Sequence, residues 1–183
     1  MSSLAIPSRP TRHFLPTDFK ITTWENLKPY FEDLLSRSVN SSIDLEKWLS
    51  DRSELESVIS EDMGWRYIRM TCYTDNKEYN DAYTDFVQNI QPHIAPLSDL
   101  LNKKAMESKY LGNLSSKDGY SMMIRNMKKE IDIFRDANVP LFTEINTETQ
   151  KYAQISGAMT VNIDGQEMTL QQASVLVDVY RSR

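Results

Sequence analysis

From Leu27 onward the apolar positions fall at Leu27, Tyr30, Phe31, Leu34 and Leu35, the three-and-four spacing of one helical face. Thr23, followed by Glu25 and Asn26, can cap the start, so the pattern predicts a first helix opening on Trp24 and running to about Arg37. Pro29 either begins the main body of that helix at a first-turn position, where a missing N–H costs little, or kinks it, and the first option is the simpler. Ser41 and Ser42 are candidate caps for a second helical pattern bearing Leu45, Trp48 and Leu49. Leu55, Val58 and Ile59 then lead into Trp65, Tyr67, Ile68 and Met70, and Asp51 leaves open whether this is one helix or two.

Asp75 and Glu78 form a capping pair, after which Tyr79, Tyr83, Phe86, Ile90, His93, Leu97 and Leu100 alternate in steps of four and three. This reads as one long amphipathic helix, bent by Pro92 and Pro96 or divided there into two shorter ones. Beyond a polar loop around Gly112 to Asp118, the stripe Tyr120, Met123, Met127, Ile131 and Phe134 repeats the pattern, and the two stripes are expected to pack as an antiparallel helical hairpin. Asn138, Val139 and Pro140 interrupt, and a further helix is expected from about Leu141 through Tyr152, ending near Gly157. Then the period changes to two. Met159, Val161 and Ile163 alternate with Thr160, Asn162 and Asp164, Asp164-Gly165 is a two-residue turn signal, and Glu167 and Thr169 alternate with Met168 and Leu170. A small β-hairpin over about 159–170 follows, with Thr169 and Gln172 as a capping box for a last helix reaching Tyr180.

The resulting class is mainly α: antiparallel helical hairpins or a bundle, an extended N-terminal arm, and one small β-hairpin near the C-terminus. Residues 1–22 hold Pro7, Pro10 and Pro16 and should form the arm, leaving residues 23–183 as a single helical lobe. Composition agrees, since 40% hydrophobic residues suit a folded core and only five Gly and seven Pro leave little material for the many turns of a sandwich or barrel. A net charge of −5, with Lys and Arg scattered among acids, lacks the basic footprint of a nucleic-acid binder. No window approaches the roughly 18 apolar residues that would span a membrane, so no membrane partner is expected. Cys72 is the only cysteine, which excludes an intrachain disulfide and fits a reducing cytoplasm.

Candidate chemistry is sparse. A protein zinc site needs three or four suitably spaced ligands, and the chain offers His13 in the arm, His93 between two prolines, and Cys72, with no His-Glu-x-x-His. No catalytic, cofactor-binding or metal-binding residue is therefore assigned, and no cofactor is expected in this chain. His93 reads as a ring packed at a helix bend and Cys72 as a small buried hydrophobe. There is no Gly-x-Ser-x-Gly elbow, and the glycines are too isolated to cradle phosphate. The acidic pairs Glu32-Asp33, Glu61-Asp62 and Glu130 with Asp132 lie beside basic residues in helical patterns and should face solvent. Trp24, Trp48 and Trp65 read most simply as core residues, with one of them lining a peptide groove as the alternative, and Met122, Met123 and Met127 as core filling or an adaptable binding surface.

The run FLPTDFKITTWENLKPYFEDLLSRSVNSSIDLEKWLSDRSELESVISEDMGWRYIRMTCYTD, from Phe14 to Asp75, resembles the N-terminal lobe of bacterial oligoendopeptidase F, a helical zinc peptidase of the thimet-oligopeptidase kind. The likeness continues through IQPHIAPLSDLLNKKAMESKYL and KKEIDIFRDANVPLFTEINTETQKYAQISGAMTVNIDGQEMTLQQA, up to Ala173. The resemblance implies a cytoplasmic, bowl-shaped peptidase in which such a lobe forms one wall of a channel for short peptides. The zinc ligands of that family lie in its C-terminal half and have no counterpart here. After Ala173 this sequence reads SVLVDVYRSR where the family continues with an Arg-rich helix, so a fragment or a descendant keeping only the lobe is expected. Two readings follow: a non-catalytic lobe partnered by short peptides or by a catalytic half, and a stand-alone helical module that binds a peptide or protein. Self-association through an exposed apolar face is also expected.

Overall fold

The computed structural model describes the backbone of residues 11–114 and 119–181, and the side chains of these up to residue 177. The first ten residues of the expected arm and the end of the loop at 115–118 lie outside that range. The described residues are 76% helical, with one small two-stranded antiparallel sheet near the C-terminus, so the mainly α class holds.

Helix α1 (Trp24–Ser36) starts at Thr23, whose side chain accepts from the Asn26 N–H while Asn26 reaches back to the Thr23 N–H. That capping box puts Pro29 in the second turn, not at the first-turn position, and the structure keeps it within the helix on the solvent side. Leu27, Phe31 and Leu34 are the buried face. Helix α2 (Ser42–Cys72) begins at Ser41, whose hydroxyl accepts from the Asp44 N–H at 3.0 Å. It is unbroken; Asp51 is buried inside it, where Arg37 and Lys47 neutralise it.

Helix α3 (Lys77–Asp85) is capped by Asn76, which accepts from the Tyr79 N–H at 3.2 Å, so the cap is the amide next to Asp75 and not the expected Asp75–Glu78 pair. A π-helical turn (Phe86–Ile90) follows, then α4 (Gln91–Glu107) with Pro96 inside it. In this turn the Gln91 N–H reaches back to the Phe86 carbonyl, one residue further than in an α-helix, just before Pro92, which has no N–H to give. The extra residue changes the phase of the apolar stripe. Up to and within it, Tyr83, Phe86 and Ile90 are buried as expected; after it, Leu101 and Ala105 are buried while His93 and Leu100 face solvent. Leu101 takes the buried position expected of Leu100, while Leu97 stays half-buried.

Next come a helical turn α5 (Leu111–Leu114), α6 (Tyr120–Ile133), a 3₁₀ turn at Asp136–Asn138, and α7 (Val139–Ala158). Strands β1 (Thr160–Ile163) and β2 (Gln166–Thr169) pair antiparallel with Thr160 opposite Thr169 and Ile163 opposite Gln166. The turn between them has φ 52° at Asp164 and 83° at Gly165, the left-handed pair that Asp-Gly supplies at low cost. Thr169 and Gln172 form the expected capping box at the start of α8 (Leu170–Arg181).

The chain divides into two compact units: Met1–Asp62 with Leu100–Asp132, and Met63–Asp99 with Ile133–Arg183. The first is built on Leu15, Leu27, Phe31, Leu45, Trp48 and Leu55. In the second, Met70, Tyr83 and Val87 form a small cluster with Met63 against it. The two stripes expected to make a helical hairpin fall largely in different units. Within the first unit α6 is linked to α2 and the end of α4, Asn102 donating to Glu130 at 2.9 Å. Within the second, the π turn takes α7 as its neighbour.

Candidate functional site

The first unit is ordered by charged groups whose partners are mostly main chain. The segment from Arg12 to Phe19 wraps the Arg12 guanidinium, which donates to the carbonyls of Pro16, Thr17 and Phe19 at 3.2 Å. Glu54 of α2 holds the same segment from the other side, accepting from the N–H groups of His13 (2.8 Å), Phe14 (3.0 Å) and Leu15 (2.7 Å). Burial alone would raise the Glu54 pKa, but the three N–H donors outweigh it and hold the carboxyl below the ordinary glutamate range. Lys104 of α4 caps the end of α1, donating to the carbonyls of Leu34, Leu35 and Arg37 at 2.6–2.8 Å. Burial, then the charge of Arg37, lowers its pKa. Arg37 is also desolvated, yet Asp51 and Asp33 more than compensate and raise its pKa.

On its solvent side α2 presents Ser50, Ser53, Ser57 and Ser60 at steps of three and four. These short side chains leave an open trough of about 360 Å³, bounded by Glu46, Leu49, Ser50 and Ser53 and by Gly119, Tyr120 and Met123 at the start of α6. Through Ser53 it runs on into a more open depression of about 500 Å³ lined by Glu56, Ser57, Ser60 and Glu61. Behind it Arg52 donates to Glu56 (2.7 Å) and to Asn102 (2.6 Å), tying α2 to α4. Among the described residues the lining offers hydroxyls, carboxylates and one aromatic ring, with no histidine, cysteine or lysine. These groups can donate and accept hydrogen bonds, and among the described residues none is a nucleophile paired with a base.

The residues weighed for chemistry are dispersed. Among the described residues no group of three or more His, Cys, Asp or Glu could hold a metal ion. His13 contributes its backbone N–H to Glu54, and its side chain is exposed. His93 is exposed and not packed at the bend, because the π turn rotates it out of the apolar stripe. Cys72, expected to be buried, is exposed at the last residue of α2. Trp48 is buried, its Nε1–H donating to the Leu34 carbonyl at 2.8 Å, and Trp24 is half-buried. Trp65 is 53% exposed and not core: Met63 and Met70 of the same helix segment take the inward positions. Met127 is buried against Arg52, Met123 is half-buried, and Met122, expected in the core, is exposed because it lies off the Met123–Met127 face. The acidic pairs carry structural ion pairs or face solvent; Asp33 pairs with Arg37 and Glu130 accepts from Asn102.

The second unit has a feature that the spacing of apolar residues misses. Helix α7 turns its uncharged polar face inward. Gln150 is buried and its amide donates to Thr84 Oγ1 at 2.8 Å, Gln154 donates to Asn80 Oδ1 at 2.5 Å, and Asn146 donates to Gln91 Oε1 at 3.5 Å. Gly157 completes this face, where a Cβ would lie 2.9 Å from the Thr74 methyl. Leu141, Ile145, Tyr152 and Ile155 point outward. One signal was available in the sequence: Thr143, Asn146, Gln150, Gln154 and Gly157 make a face free of charge, whereas Glu144, Glu148 and Lys151 flank the apolar stripe.

No helix among the described residues is long and apolar enough to cross a membrane. A family model described as the Peptidase M3 N-terminal domain matches residues 14–134. No curated protein and no solved structure matches.

Proposed function

Because this chain belongs to the Peptidase M3 N-terminal domain family, we propose that it is the non-catalytic lobe of an oligoendopeptidase F-like zinc peptidase, forming one wall of a channel that admits short peptides. The observation that carries the reading is the extent of the match, residues 14–134, which begins at the clasped arm and includes all of α1 to α6. The residue chemistry is in keeping with a shaping role: His13 and His93 lie far apart in sequence, and the chain has no His-Glu-x-x-His to set two ligands and a general base on one helix. Hydrolysis, with zinc as its cofactor, then belongs to a catalytic half, and the cytoplasm is the compartment that suits the single free thiol.

The test is complementation. The purified chain is mixed with the separately produced catalytic half of an oligoendopeptidase F, and cleavage of quenched fluorescent peptides of graded length is followed. The chain alone should cleave nothing, and its addition should restore turnover or narrow the accepted length. Turnover by the chain alone, surviving repurification and abolished by a chelator, sinks the reading; so does an unchanged length profile on mixing.

The trough along α2 favours a second reading, a stand-alone peptide-binding module. It requires saturable binding of a labelled peptide to the chain alone, weakened by Ser53→Trp, which would fill the passage shared by both parts of the trough.

A further inference from the structure

We propose that the outward face of α7 is a self-docking surface, on which a second copy of this chain lays its own α7 antiparallel. Leu141, Ile145, Tyr152 and Ile155 recur at helical spacing along one side, continued by Met159 at the C-cap, and all five are 49–72% exposed. In an ordinary soluble helix such a stripe faces the core. Here the inward side is already taken by Asn146, Gln150 and Gln154 with their hydrogen-bond partners, so the helix cannot roll to bury the stripe without stranding those amides. An apolar face held outward in this way, interrupted at its middle by Glu148, is the kind that marks an interaction surface.

The pattern of the stripe selects the occupant. It is symmetric about position 150: Leu141 and Met159 lie nine residues to either side, Ile145 and Ile155 five, Glu148 and Tyr152 two. Two copies crossing antiparallel at that position set Leu141 against Met159 of the second copy and Ile145 against its Ile155. Glu148 and Lys151, which form an exposed pair with each other, straddle the same point. In the antiparallel register centred on position 150, Lys151 stands opposite Thr149 of the second copy, one residue from its Glu148, so the charges are self-complementary. A parallel register would set Glu148 against Glu148. The other flank, Phe142, Thr149 and Ser156, carries no charge to oppose the approach. One helix face buries less than the roughly 800 Å² per partner of a standard interface, so the association is weak and depends on concentration.

Sedimentation velocity of the full chain from nanomolar to tens of micromolar tests this. A reversible monomer–dimer equilibrium is expected. Ile145→Glu and Ile155→Glu, each at an exposed site and each checked for unchanged circular dichroism, should raise the dissociation constant by about tenfold or more. Trp65→Ser, at an exposed apolar site on α2, should leave it unchanged. Glu148→Lys should weaken the dimer, and adding Lys151→Glu to that variant should restore it. A monomer across the range overturns the proposal and leaves the face to a different partner, such as a catalytic half. A dimer indifferent to both isoleucine changes, or equally sensitive to Trp65→Ser, places the contact elsewhere, and failure of the charge swap to restore binding overturns the antiparallel register.

Discussion

Glu54 sits on α2 with a carboxylate that meets three consecutive backbone N–H groups, a cradle that ordinarily receives an external anion. Here the protein supplies its own anion, and the arm is positioned by it. The folded pKa is lowered, so this stabilisation is fully present above the ordinary glutamate value of 4.5 and is lost as pH falls through the folded value. Glu54→Gln should cost about 1–2 kcal/mol at neutral pH, the side chain being partly solvated. Urea unfolding of both proteins should show that gap closing once the pH drops below 4.5; a gap independent of pH contradicts the cradle. Gly157 poses a different question at the same scale. Alanine is favoured over glycine in a helix by about 1 kcal/mol, but here its methyl would meet the Thr74 methyl at 2.9 Å. Gly157→Ala should therefore destabilise in the wild type by about 1–3 kcal/mol. In a Thr74→Ser background, which removes the opposing methyl, the same change should be neutral or stabilising. Equal effects in both backgrounds would show that the contact is not the cause.

The elements owe their arrangement to where hydrogen bonds are missing as much as to where apolar residues lie. Pro92 withholds a donor, the turn before it widens, and one additional residue rotates everything downstream. A measurement follows from that rotation. Leu101→Ala, at a buried site, should cost about 2–5 kcal/mol, as core truncations do, whereas Leu100→Ala should cost well under about 1 kcal/mol. Chemical denaturation of the two variants distinguishes the phases: an unshifted stripe would reverse the order. The same reasoning separates Phe86 from Ile131. Phe86 is buried beneath the Arg66 guanidinium and its truncation should cost about 3–5 kcal/mol; Ile131 is half-buried and should cost less. Lys104 does for α1 what a terminal cap does, from a distant part of the chain, by occupying three carbonyls that the helix end leaves open.

For the whole molecule, family membership and ligand poverty point the same way. Were a tight zinc site present, zinc at a hundredfold excess over its dissociation constant would stabilise the fold by about 2.7 kcal/mol. Thermal unfolding of the purified chain should be unmoved by zinc or by a chelator. A rise in melting temperature with zinc that is lost in a His13→Ala or His93→Ala variant would reveal a site that the proposed division of labour excludes.

Local signals sufficed for the helical class, the first cap at Thr23, the Asp164-Gly165 hairpin and the box at Thr169, since each depends on residues within three or four positions of one another. The absence of a metallopeptidase motif was equally plain from the residues. The burial of Leu101 in place of Leu100, the exposure of Cys72, His93 and Trp65, and the grouping of the helices depended on the tertiary structure. So did the inward turn of the polar face of α7. The physical reason is common to these cases. Spacing reports which residues share a face, but not which way that face turns: Gln150 finds Thr84 across 66 positions of sequence, and that pairing decides which side of the helix remains for solvent or for another chain.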